Sequence, residues 1–76
     1  MSDRLLKDFG LRVKRLRADR SISQEGLANL SGLDRTYISG LERGIRNPSL
    51  KCLAKVAKGL GIELVDLLSS VGLKNE

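Results

Sequence analysis

Apolar residues open the chain in a repeating stripe. Leu5, Phe9, Val13 and Leu16 recur at spacings of four, four and three, the pattern of a helix that buries one face. A first helix is predicted from Ser2 to Arg20. Gly10 lies inside it, weakens it by up to about 1 kcal/mol, and marks a point of close packing. Ile22 is placed to staple the start of a second helix, which Ser23 caps. Leu27, Ala28 and Ser31 follow at helical spacing, and Gly32 supplies the backbone freedom of a sharp turn. Asp34 is expected to cap a third helix whose inward face is Ile38 and Leu41, with Tyr37 flanking them. Gly44 and Pro48 then end helical structure. Ser49 caps a fourth helix, Leu50 to Leu60, for which Leu50, Leu53, Ala54, Ala57 and Leu60 are the expected core face. After Gly61 a fifth helix is predicted from Leu64 to Val71, facing inward through Leu64, Leu67, Leu68 and Val71. The expected fold is all-α, a compact five-helix bundle forming one domain over residues 1–76.

Helices two and three, joined through Gly32, form a helix-turn-helix over residues 23–43, and the second helix of such a unit fits the DNA major groove. At about 100° per residue, Arg35, Thr36, Ser39, Gly40 and Arg43 point away from Ile38 and Leu41. The outer face thus carries a forked cation first, small hydroxyls in the middle, and a second cation at the far end. Arg pairs bidentately with guanine O6 and N7, while Thr and Ser bond base edges or touch the thymine methyl. A solvated surface helix has the same composition. Beyond this helix, Arg43, Arg46 and Asn47 are donors within reach of phosphate oxygens.

Charge favours the first of these alternatives. The 76 residues carry a net charge of +5 and a pI near 9.9, a balance suited to an anionic partner. Only 3% are aromatic against 41% hydrophobic, so the core is built from Leu, Ile, Val and Ala. The chain has no His and a single Cys. No nucleophile has a base beside it, no glycine-rich phosphate loop is present, and a metal site would need Asp, Glu and that one Cys. An enzyme, a metal centre, a cofactor and a small-molecule ligand are therefore not expected. The lone Cys52 suits a reducing cytoplasm, and no apolar run approaches the length of a membrane span.

In order and spacing, Leu16-Arg17, Ile22-Ser23-Gln24-Glu25, Leu27-Ala28, Gly32-Leu33, Tyr37-Ile38, Leu41-Glu42-Arg43-Gly44, Asn47-Pro48-Ser49-Leu50 and Leu60-Gly61-Ile62 resemble the Cro/repressor-type helix-turn-helix family, the lambda-repressor-like DNA-binding domains. The resemblance covers about residues 5–70. Within that family, Leu33 to Gly40 together with Arg46-Asn47 look most like the controller proteins of restriction–modification systems. The resemblance implies a homodimeric, sequence-specific transcriptional regulator of a palindromic operator in double-stranded DNA, with RNA polymerase as a further candidate partner. It implies that Arg35, Thr36 and Ser39 face base edges. It places Gln24, Tyr37, Arg43, Arg46 and Asn47 on the DNA backbone, and makes Arg17 and Glu42 an ion pair between the first helix and the end of the third. Two positions depart from the family pattern: Gly26 stands where Glu is common, and Glu63 is a weak cap for the fifth helix.

One recognition helix reads too few base pairs for selectivity in a genome, so two-fold pairing is expected, with half-sites about 34 Å apart. The dimer seam is expected on the C-terminal helices, residues 49–72. There Cys52, Val56 and Val65 lie off the expected core face, with Leu73 just beyond. The alternatives are an antitoxin or phage-type repressor, and a protein-interaction module of the same fold that leaves DNA alone.

Overall fold

Asp3 opens the first helix by accepting the Leu6 amide on its carboxylate at 3.2 Å. The computed structural model describes residues 3–72. In it the chain forms α1 (Arg4–Asp19), α2 (Gln24–Ser31), α3 (Arg35–Glu42), α4 (Leu50–Leu60) and α5 (Leu64–Leu67), with no strand among the described residues. The local chemistry accounts for most boundaries. Ser23 and Ser49 each accept the amide three residues on, from Gly26 at 2.9 Å and from Cys52 at 3.2 Å, and so satisfy donors a helix start leaves free. Gly32 ends α2 at φ 74°, a conformation that costs a side-chain-bearing residue energy. Its amide and that of Leu33 both return to the Ala28 carbonyl, which turns the chain sharply into α3.

Phe9, Val13, Leu16, Leu27, Ala28, Ile38, Leu41, Val56, Ala57, Leu60 and Leu67 form one continuous core. α1 packs on α3, α2 on α3 and α4, and α4 on α5. Two cations, one in α1 and one at its C-cap, reach across this frame. Arg20 donates from Nε to the Leu60 carbonyl at 2.9 Å, where α4 ends, and Arg12 donates to the Asp66 carbonyl at 2.8 Å. No helix among the described residues is long and apolar enough to cross a membrane.

Three expectations need correction. Asp34 holds the N-cap position of α3 but caps no amide; its carboxylate instead accepts the Thr36 hydroxyl at 2.9 Å. α4 is rotated relative to the expected stripe. Val56 is completely buried, whereas Leu50 is 68% exposed and Ala54 also faces solvent. α5 is one turn long, its start uncapped by Glu63, and the chain continues to Gly72 through turns, leaving Leu68 37% exposed.

Candidate nucleic-acid interface

The placement of α3 begins with an absence. A Cβ on Gly10 would collide with the Leu41 carbonyl oxygen and lie 2.6 Å from that of Glu42. Only glycine lets α1 come this close to the end of α3. The approach sets Arg17 against Glu42. Arg17 donates from Nε to one Glu42 oxygen at 2.6 Å and from Nη2 to the other at 2.9 Å, a bidentate pair, while its Nη1 donates to the Ile22 carbonyl at 2.9 Å. The Glu42 side chain is 3% exposed. Its burial pushes the carboxyl pKa up, but the hydrogen bonds from Arg17 and Gln24 and the charges of Arg17 and Lys14 outweigh that, so the group titrates below its ordinary range. The expected Arg17–Glu42 pair is present. Gln24 adds a member that sequence reasoning placed elsewhere: its Nε2 donates to Glu42 Oε1 at 3.0 Å. One of its two amide hydrogens is therefore engaged at home, and the other remains for an external acceptor.

The pair anchors the inner end of α3 and leaves the outer face open. Arg35 and Thr36 are exposed and Ser39 half-buried on the same helix. Because the Thr36 hydroxyl proton goes to Asp34, its oxygen is left to accept and its methyl to make apolar contact. Arg43, the C-cap residue of α3, and Asn47 in the following loop are exposed. Arg46 folds back from that loop onto α3. Its guanidinium carbon stands 5.5 Å from the centre of the Tyr37 ring, within cation–π range. Half-buried Tyr37 has its hydroxyl beside the Cys52 thiol. Burial and that thiol raise the phenol pKa, with Arg46 opposing, while hydrogen bonds with Ser49 and Tyr37 lower the thiol's. Gly40, expected on the free outer face, is buried. The stem of Arg46 covers it, and a Cβ there would stand 2.7 Å from Arg46 Cγ. Every residue expected to face DNA thus lies on α3, at the start of α2, or in the loop after α3. Arg35, Arg43 and Arg46 are its exposed cations, and the Glu42 charge is matched internally by Arg17.

The expected seam residues divide. Val65 is 74% exposed, as a contact residue would be. Cys52 is only half-buried but is turned toward Tyr37. Val56 at 0% exposure is part of the core and belongs to no seam. Leu73 lies outside the described residues. Leu50, Ala54 and Leu68 are the exposed apolar residues of this half that sequence reasoning assigned to the core. Nearby, Leu5, Leu6, Phe9, Pro48, Leu53, Leu68 and Val71 line an apolar groove of about 150 Å³.

Comparison with known proteins gives a consistent result. Residues 13–67 match the helix-turn-helix family model. The control protein C.MunI of Mycoplasma sp is 47% identical over 64 residues, which are 83% of this chain and 86% of that one. The crystal structure of the restriction–modification controller protein C.AhdI from Aeromonas hydrophila aligns with a TM-score of 0.80 at 52% identity, covering 82% of this chain and 94% of that one. The controller C.Esp1396I, crystallised as a tetramer on its natural 35 base-pair operator, aligns with a TM-score of 0.84 at 39% identity over 91% of both chains.

Proposed function

The chain belongs to the Cro/repressor-type helix-turn-helix family, and from that premise we propose that it is a sequence-specific DNA-binding transcriptional regulator, the controller of a restriction–modification operon. The observation that carries this reading is the solvent face of α3: Arg35 and Thr36 exposed and Ser39 beside them, on a helix whose far end is clamped by a buried carboxylate. Arg35, the longest donor at the helix start, reads a guanine. Thr36 and Ser39 serve neighbouring base edges. The free amide hydrogen of Gln24, the Tyr37 hydroxyl, Arg43, Arg46 and Asn47 hold phosphates and fix register.

The protein works as a homodimer on a palindromic operator. Leu50, Val65 and Leu68 are exposed apolar residues on α4, α5 and the turn after it, and a two-fold pairing through this half would bury the same residues on both copies. They support the C-terminal helices as the seam, with Leu50 and Leu68 taking the place first given to Val56. The relatives named as control proteins and the operator-bound tetramer of C.Esp1396I support a regulatory assembly on DNA in the cytoplasm. RNA polymerase is the further partner such an assembly would meet.

Selection of bound duplexes from a random pool tests the reading. The expected result is a two-fold symmetric consensus whose half-sites lie about 34 Å apart. Arg35→Ala is expected to cost about 1–3 kcal/mol and to relax preference mainly at one base pair in each half-site. A wild-type protein that enriches no sequence would overturn the function. A mutant consensus identical to that of wild type would overturn the role of Arg35 alone.

A further inference from the structure

We infer that Gly40 is a positioning residue for DNA binding: the gap left by its missing side chain is the seat in which Arg46 lies against the recognition helix. The inference rests on the DNA reading above, and on a juxtaposition that reading does not use. Arg46 comes from the loop beyond α3, not from the helix itself. An arginine in a loop is ordinarily free to sample many rotamers, and fixing it costs side-chain entropy. Here its chain is held on two sides. Its stem crosses Gly40 so closely that a Cβ would stand 2.7 Å from Cγ and 3.1 Å from Nε. Its guanidinium then lies over the Tyr37 ring at 5.5 Å. Tyr37 and Gly40 are three residues apart, hence neighbours on one side of α3, and together they make a track: a ring at one end and bare backbone at the other. The Ile45 amide donates to the Gly40 carbonyl at 3.0 Å, which brings the loop back over that same residue.

Alanine at position 40 closes the track. The atoms it meets belong to a flexible side chain, so Arg46 swings away and the helix stays intact; alanine is itself the better helix former. The substitution therefore separates fold from function. Gly40→Ala is expected to melt at or above the wild-type temperature, yet to bind the duplex selected from the random pool about tenfold more weakly, the scale of one hydrogen bond to a charged group. Arg46→Ala is expected to weaken binding by the same factor and to reduce the slope of log K against log salt by roughly 1. Gly40→Ala should lose most of that same slope. The double variant should bind no more weakly than Arg46→Ala alone, because the two changes remove one contact.

A second readout needs no DNA. Tyr37 is the sole tyrosine, the chain has no tryptophan, and its one phenylalanine, Phe9, is buried in the core, so upfield ring-current shifts of the Arg46 side-chain protons, absent from a Tyr37→Leu control, report its seat by NMR. Those shifts should disappear in Gly40→Ala. Retained shifts with wild-type affinity in Gly40→Ala would overturn the inference. So would a clearly lowered melting temperature, which would mean a rigid contact at position 40, or additive losses in the double variant. If Gly40→Ala abolishes the shifts while Arg46→Ala leaves affinity and salt slope unchanged, the seat is real and Arg46 has no phosphate contact, which overturns the functional half of the inference and that assignment together. A wild-type protein that binds no duplex fails the regulator reading itself, separately from the NMR result.

Discussion

The two halves of this chain solve opposite problems. In α1–α3 one polar group points inward: a glutamate only 3% exposed is shared by Arg17 and Gln24, and the outer face of α3 is left to arginines and hydroxyls, although Leu11 and Leu30 also meet solvent on α1 and α2. In α4–α5 the apolar chemistry points outward, with Leu50 at 68% exposure and Val65 at 74%. A buried ionic network is a poor source of net stability but a strong way to fix geometry once both partners are present. Exposed leucines and valines fix nothing within the monomer. The first half is built to hold an angle, and the proposed seam would put the second half to use in pairing.

Two valines separate these roles most sharply. Val56 is fully buried in the core and Val65 is exposed. An ionised carboxylate in place of Val56 costs several kcal/mol, comparable with the whole stability of a small domain, about 5–10 kcal/mol. Val56→Asp is expected to unfold the chain, as circular dichroism would show. Val65→Asp should leave the helices intact and shift sedimentation toward monomer, with weaker operator binding. Two folded dimers would break the comparison.

The next effect is smaller and lies in the other half. Glu42→Ala leaves Arg17 without its partner at a largely buried site and is expected to cost about 3–5 kcal/mol, a clear fall in melting temperature. A melt equal to wild type would show the pair to be minor. The same carboxylate predicts the weakest effect, a dependence on pH. Its pKa is depressed in the folded chain, so its stabilisation is complete above the ordinary carboxylate value of about 4.3. That contribution is lost as the pH falls from there through the depressed value. Melting temperatures of wild type and Glu42→Gln should therefore converge as the solution is acidified below about pH 4. Parallel curves through that range would place the acid sensitivity elsewhere.

The same division governs what the sequence reveals. In α1–α3, stripe, cap serine and turn glycine point one way, and Ile38, Leu41, Val13 and Phe9 are buried as their spacing requires, but Leu5, the first residue of the expected stripe, is 55% exposed at the open end of α1. In α4, apolar residues occupy a broad arc, and Leu50-Leu53-Ala54-Ala57-Leu60 reads as well as the true face through Leu53, Val56, Ala57 and Leu60. Lys51, Lys55 and Lys58 carried the missing signal. At about 100° per residue they cluster on one side, and the opposite side centres on Leu53 and Leu60, not on Leu50. The Gln24–Glu42 bond and the Arg46–Gly40 seat had no local signature. Each joins segments that only the finished packing brings together, Gln24 to Glu42 across 18 residues and the loop back onto its own helix.

The Glu42 carboxylate has a consequence for dosage. It is the meeting point of three helices, receiving Arg17 from α1 and Gln24 from α2 while standing on α3. No two of these helices complete the arrangement without the third. Displacing α1 or α2 therefore withdraws a donor from the carboxylate on α3 and a support from the recognition helix. Such a molecule is expected to count for less at the DNA, so the effective dose is set by the number of fully packed molecules.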